Sequence, residues 1–323
     1  MTFSLNKIHK AVNWNKEDDN FTQVFWEQNV KQFWLPEEIS VSKDLKVWNE
    51  LSETERNLYK KVLAGLTLLD TKQGNNGIPS MMSLTDNLQR KAVLSFMGTM
   101  EEIHAKSYSS IFTTLLSNRE IDELFEWIES EESLQIKAEL ILEQYENTID
   151  EKSLYLSMVT SVFLESFLFY SGFFYPLFLS GQGKMVASGE IISLILRDES
   201  LHGKYIGLLA QEKFEKFNDE ERKELKNKMY EIFKNLMENE IEYTKLIYNG
   251  SGLEEEVINF LQYNANRALE NLGFERYYEV KPVNSIVLNG LSTETKTHDF
   301  FSTKGNGYQK GVYEELQDED FII

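Results

Sequence analysis

Apolar residues recur at helical spacing along almost the whole chain, and the interruptions divide it into about nine segments. Ser52 with Glu55 three residues on is a capping box, which opens a helix. The apolar face of that helix runs through Tyr59, Val62, Leu63 and Leu66, and Asp70 falls on the same face one turn later. Gly74-Asn75-Asn76-Gly77-Ile78-Pro79 is predicted to break it. The spacing then predicts a helix over about 83–116, an acidic amphipathic pair over about 119–148, and an apolar helix that ends near Gly181-Gln182-Gly183. Further helices are expected at about 190–211, 218–249 and 253–271. Residues 1 to about 45 read as an irregular arm with short helices, rich in aromatics such as Trp14, Phe21, Phe25, Trp26, Phe33 and Trp34. No alternating strand pattern of any length intervenes, so the fold class is all-α. The character changes after Pro282, which gives two parts: a helical body over 1–290 and a polar, flexible C-terminal tail over 291–323.

Composition supports this picture and narrows the function. Four prolines and 17 glycines in 323 residues suit long helices. The formal net charge of −20 argues against a nucleic-acid partner, which wants a basic face. Residues 1–20 are polar and show no signal-peptide pattern, so a cytoplasmic protein is expected. The stretch Leu154 to Ser180 is apolar enough to resemble a membrane span. It carries Glu165 near its centre and has no basic cluster on either side, so it reads as a buried core helix, with no membrane partner. The chain has no cysteine, so any redox chemistry must run on metal, tyrosine or tryptophan.

Two of the four histidines sit three residues after a glutamate, in Glu101-Glu102-Ile103-His104 and Glu199-Ser200-Leu201-His202. Positions i and i+3 share a helix face, so each pair can grip one object. Each copy is preceded by a lone carboxylate in apolar surroundings, Asp70 before the first and Glu165 before the second. One Glu-x-x-His pair is unremarkable in so acidic a chain; two pairs with two buried carboxylates are not. A purely structural bundle would leave Asp70 and Glu165 buried without a partner, at a cost of several kcal/mol each. Four carboxylates and two histidines in matching halves are the ligand set of a di-iron or di-manganese site in a four-helix core, with Glu101 and Glu199 among the bridging carboxylates. Carboxylate-rich ligation suits iron or manganese, and the same ligands serve both. Tyr108 lies one turn beyond His104 on the same face. Phe169, Phe173 and Ile195 are placed to wall it in, although a stripe at helical spacing is equally what a core needs.

The combination resembles the small, radical-generating subunit of class I ribonucleotide reductase, within the ferritin-like superfamily, over nearly the whole chain. The residues that carry the resemblance are Lys31-Gln32-Phe33-Trp34-Leu35-Pro36-Glu37-Glu38, Leu68-Leu69-Asp70, Glu101-x-x-His104 with Ala105-Lys106-Ser107-Tyr108, Leu164-Glu165-Ser166-Phe167 and Arg197-Asp198-Glu199-x-x-His202. The short length, His104-Ala105-Lys106-Ser107-Tyr108 and the tail motifs His298-Asp299-Phe300-Phe301-Ser302 and Lys304-Gly305-Asn306-Gly307-Tyr308 look most like the class Ib branch. The resemblance implies that Asp70, Glu101 and His104 hold one metal ion and Glu165, Glu199 and His202 the other. It implies a tyrosyl radical on Tyr108, and a path through His104, Asp198 and Trp34 to a relay tyrosine in the tail, Tyr308 or else Tyr313. It further implies a homodimer, a large subunit that binds the tail through Phe321, Ile322 and Ile323, and a flavodoxin-like activator protein when manganese is used. The missing cysteines fit, because the thiols that reduce a ribonucleotide would belong to the large subunit. A ferritin-like storage or oxidase protein shares the paired Glu-x-x-His but would lack Trp34, Asp198 and Tyr308. A di-iron oxygenase would leave Tyr108 idle.

Overall fold

A computed structural model describes residues 8–291, and all its regular elements are helical among those residues. The arm contributes α1 (Thr22–Gln32), two short 3-10 turns and α2 (Leu45–Glu50). The body follows as α3 (Glu53–Lys72), α4 (Ile78–Ser83), α5 (Leu88–Leu115), α6 (Asn118–Ser130) and α7 (Glu132–Glu146). It continues with α8 (Glu151–Phe163), α9 (Tyr170–Ser180), α10 (Val186–Glu215), α11 (Asp219–Ile247), α12 (Glu254–Asn271) and α13 (Ser285–Leu291). Helix α3 packs on α5 and α9, α10 packs on α8, α9 and α5, and α11 and α12 close the outside.

The expected capping box forms: Ser52 Oγ accepts from Glu55 N while a Glu55 carboxylate oxygen accepts from Ser52 N at 2.8 Å. The expected break at Gly74–Pro79 does not. The chain passes from α3 through a π turn, Gln73–Gly77, directly into α4, and Pro79 stands in the first turn of α4, where its missing N–H costs nothing. A second π turn, Leu164–Leu168, joins α8 to α9 and carries Glu165. The widened turns keep the helix axis running while shifting the register of the side chains beyond them. Helix α5 starts at Asn87, whose side chain accepts from Arg90 N, rather than at the expected Ser83. Helix α10 is longer than expected at both ends. Its start is fixed by buried Asp44, which accepts from Ala187 N (3.1 Å) and Ser188 N (2.7 Å) across from the arm. Helix α13 was not expected. It lies on α9 so closely that a Cβ on Gly290 would collide with the Leu177 carbonyl.

The apolar run from Glu151 to Ser180 is long and apolar enough to cross a membrane, but 94% of its window is buried inside the protein, and it is the central helix of the core. The expected tail, from residue 292 on, lies outside the described residues, and with it His298, Tyr308, Tyr313, Phe321, Ile322 and Ile323.

Candidate metal centre

Four helical segments converge on one point in the core. Asp70 arrives from the last turn of α3, Glu101 and His104 from the middle of α5, Glu165 from the second π turn, and Glu199 and His202 from the middle of α10. All six side chains are 0% exposed. Ligand atoms of Asp70, Glu101, His104 and Glu199 lie within 4.8 Å of one another, as do those of Glu101, Glu165, Glu199 and His202. The two groups share Glu101 and Glu199. His104 Nδ1 stands 2.8 Å from a Glu199 oxygen and 3.7 Å from Glu101, whereas His202 Nδ1 stands 2.9 Å from the other Glu101 oxygen and 3.4 Å from the other Glu199 oxygen. Each central carboxylate therefore faces both imidazoles.

Both oxygens of Asp70, Glu101 and Glu199, one oxygen of Glu165 and Nδ1 of both histidines lack a hydrogen bond. So many buried acceptors aimed at one another call for positive charge between them, supplied by metal ions or by protons. The electrostatics of the six side chains point the same way. Burial first, then the Glu199 and Glu101 charges, push the Asp70 carboxyl well above its usual range. Burial, then Glu101 and Glu199, does this to Glu165. Burial opposes charge on His104 and His202, yet the carboxylates around them raise both imidazoles well above the usual value. Burial also opposes charge on Glu199, but the neighbouring Glu165 carboxyl and the charge of His104 hold it below its ordinary range. Without metal, protons must stand in for the missing positive charge.

Tyr108, one turn beyond His104, is fully buried and its hydroxyl makes no hydrogen bond. Burial, then the Asp70 charge, push its hydroxyl well above the usual phenol range. Phe169, Phe173 and Ile195 are each 0% exposed, part of the same core. On the outer side, His104 Nε2 is 3.2 Å from Asp198 Oδ2, and the Trp34 indole N–H donates to that same oxygen at 2.7 Å. The Trp34 and His104 rings are nearly parallel, with centroids 6.1 Å apart. The arm thus brings Trp34 to a site otherwise built by α3, α5, α10 and the second π turn.

Several polar partners escaped the sequence reading. Gln32 donates to the second Asp198 oxygen at 3.1 Å, and its carbonyl accepts from Arg197 at 2.9 Å. Gln73 reaches Glu165, Ser161 and Tyr145. Gln73 follows Asp70 at i+3, which is a usable signal, but the glycines after it read as the end of the helix. Away from the centre, Lys137 and Glu240 form a fully buried ion pair at 2.5 Å, for which no local pattern in the sequence gave warning.

The small chain of ribonucleotide reductase, as a family, matches residues 11–285. The ribonucleoside-diphosphate reductase subunit beta of Bacillus subtilis is 55% identical over 322 residues, covering 99% of this chain and 98% of the relative. The ribonucleoside-diphosphate reductase 2 subunit beta of Escherichia coli is 41% identical over 314 residues, covering 96% and 97%. Among solved structures, the dimanganese(II)-NrdF of Streptococcus sanguinis superposes with a TM-score of 0.85 at 45% identity, over 88% of this chain and 100% of that one.

Proposed function

Since the chain belongs to the small-chain family of ribonucleotide reductases, we propose a residue-by-residue account of how it serves that enzyme. It is a ferritin-like beta subunit of ribonucleoside-diphosphate reductase with a dinuclear metal site, and it works with a large subunit. In the proposal, Asp70, Glu101 and His104 hold one ion and Glu165, Glu199 and His202 the other, with Glu101 and Glu199 reaching both. Oxygen-rich ligation with one imidazole per ion suits iron or manganese over copper or zinc. When bound, the ions supply the one-electron oxidation of Tyr108.

The chain's own residues do the rest. Tyr108 holds the radical in a dry apolar pocket, where water and reductants do not reach its ring. If His104 ligates through Nδ1, its Nε2 carries the proton and donates to Asp198, which fixes the ring. Asp198 also accepts from Trp34, so an electron can leave Trp34 to refill Tyr108 as the indole proton moves to Asp198, while the Tyr108 oxygen takes back a proton from the metal-site side, where Asp70 is its carboxyl neighbour. Tyr308, or else Tyr313, would then refill Trp34 and pass the oxidising equivalent to the large subunit. The tail ending Phe321, Ile322 and Ile323 would dock that subunit, with the acidic run before it setting salt dependence. A homodimer, a flavodoxin-like activator for manganese and a cytoplasmic location complete the proposal.

The observation that carries it is the unbroken run from the buried carboxylate cluster through His104 and Asp198 to Trp34. A storage protein or oxygenase has no use for such an exit. Aerobic reconstitution with iron, or with manganese and the activator, should give a tyrosyl radical by electron spin resonance. Tyr108→Phe should keep both ions and lose both radical and nucleotide reduction. An unchanged radical signal in Tyr108→Phe would move the radical to another tyrosine.

A further inference from the structure

Gln73 is 0% exposed, and every polar atom of its side chain is engaged. Its amide nitrogen donates to Ser161 Oγ at 2.6 Å and to Glu165 Oε1. Its carbonyl oxygen accepts from the Tyr145 hydroxyl at 2.6 Å. A carboxamide can turn end for end, which would set its oxygen against the Glu165 carboxylate. That turn would set two acceptors face to face at Glu165 and break the bond that Tyr145, buried on α7, donates to Gln73. The backbone is shaped for this contact: a Cβ on Gly77 would collide with the Gln73 carbonyl oxygen and stand 2.8 Å from the Tyr145 ring.

The consequence falls on Glu165. Its Oε1 is held by Gln73, while Oε2 makes no hydrogen bond and lies 3.6 Å from His202 Nδ1. Asp70, the corresponding carboxylate of the other half, has no amide donor behind it and only the Tyr108 hydroxyl as a polar neighbour outside the cluster. The two halves of the cluster are therefore unequal in their outer support. We propose that Gln73, locked in one orientation by Tyr145, is a positioning residue that commits Glu165 to offering a single oxygen, Oε2, to the cation on the His202 side, and so sets the affinity of that side relative to the Asp70 side. This rests on the reading of the cluster as a two-cation site.

The test is anaerobic titration of the full-length protein with Mn(II), with bound and free ion read by electron spin resonance. Wild type should take two ions. Gln73→Leu should weaken one of them by roughly 10- to 100-fold and leave the other unchanged, the size typical for losing a partner behind a metal ligand. Tyr145→Phe should weaken the same ion by a smaller factor, since Gln73 remains but loses one of the bonds that hold its orientation. In a Glu165→Gln background, Gln73→Leu should add little. Equal weakening of both ions, no change in either single variant, or full additivity with Glu165→Gln would overturn the proposal. Tyr145→Phe, which removes a single hydroxyl, decides the matter if Gln73→Leu does not fold. Fewer than two ions on wild type would instead sink the two-cation reading.

Discussion

Asp198 shows how much a single carboxylate can do once three donors surround it. One of its oxygens accepts from Trp34 and faces His104, and the other accepts from Gln32. Asp198→Asn preserves size and an acceptor for the indole but removes the ability to take a proton. The variant should load metal and form the Tyr108 radical, yet nucleotide reduction with the large subunit should fall by about 100-fold or more, the usual scale for losing a proton acceptor. Full turnover would mean that the exit path bypasses Asp198. Lys137 and Glu240 make a different point. Both are buried, Ser171 donates to Glu240, and the Lys137 ammonium sits 3.6 Å over the Tyr243 ring. Burial lowers the Lys137 pKa despite the Glu240 charge beside it. Lys137→Met should cost roughly 3–5 kcal/mol by leaving a buried carboxylate without a counter-charge, and Lys137→Met with Glu240→Leu should recover most of that. Urea unfolding midpoints of the single and double variants check it; a double variant as unstable as the single would show that the pair is worth its burial. Glu-x-x-His was legible because local periodicity alone puts both groups on one face. Lys137–Glu240 was not, because its partners lie 103 positions apart, on α7 and α11.

At the scale of elements, the two π turns mark where local reading fails and why. Gly74, Asn75, Asn76 and Gly77 have low helix propensity, so the chain there reads as a loop. Packing overrides it: the turn lies against α5, and a Cβ on Gly74 would stand 3.1 Å from the Glu101 side chain. Glycine is used here for closeness, with ordinary helical dihedrals on its flanks. That distinction sets the sign of a mutation. Gly→Ala in an open helical position stabilises by about 0.4–1 kcal/mol, because the unfolded chain loses freedom. Gly77→Ala should instead destabilise, by roughly 1–3 kcal/mol, since the methyl group meets Gln73 and the Tyr145 ring in a filled core. A variant more stable than wild type in thermal melts would show that the Tyr145 contact yields easily. Capping behaved better. The Ser52–Glu55 box needs no tertiary partner, so four residues sufficed to place the start of α3. Helix α13 is the reverse case: seven residues held by α9 and a glycine contact, with no amphipathic run long enough to predict.

For the molecule as a whole, six fully buried titratable side chains meet in one cluster, and stability should follow its state of loading. Asp70, Glu165, His104 and His202 all have folded pKa values above their ordinary ones. A group of that kind contributes stability that is complete below its unfolded pKa and is lost as pH rises through the folded one. Glu199 is shifted the other way and contributes above the ordinary carboxylate range. Four groups against one set the sign: the metal-free protein should lose stability as pH rises above about 4, where Asp70 and Glu165 ordinarily ionise, and again as it rises past about 6.5, where the two imidazoles ordinarily lose their protons. Divalent ions take the place of those protons, so the loaded protein should show a flatter profile across the same interval. Loading must also expel protons, and its measured heat should therefore differ between buffers of unlike ionisation enthalpy. Thermal melts of the metal-free and loaded forms across that interval, with calorimetry of Mn(II) loading in two buffers, test both halves. Parallel melting curves and a buffer-independent heat would mean that the cluster is already ionised without metal, and some buried cation other than a proton would then have to balance it.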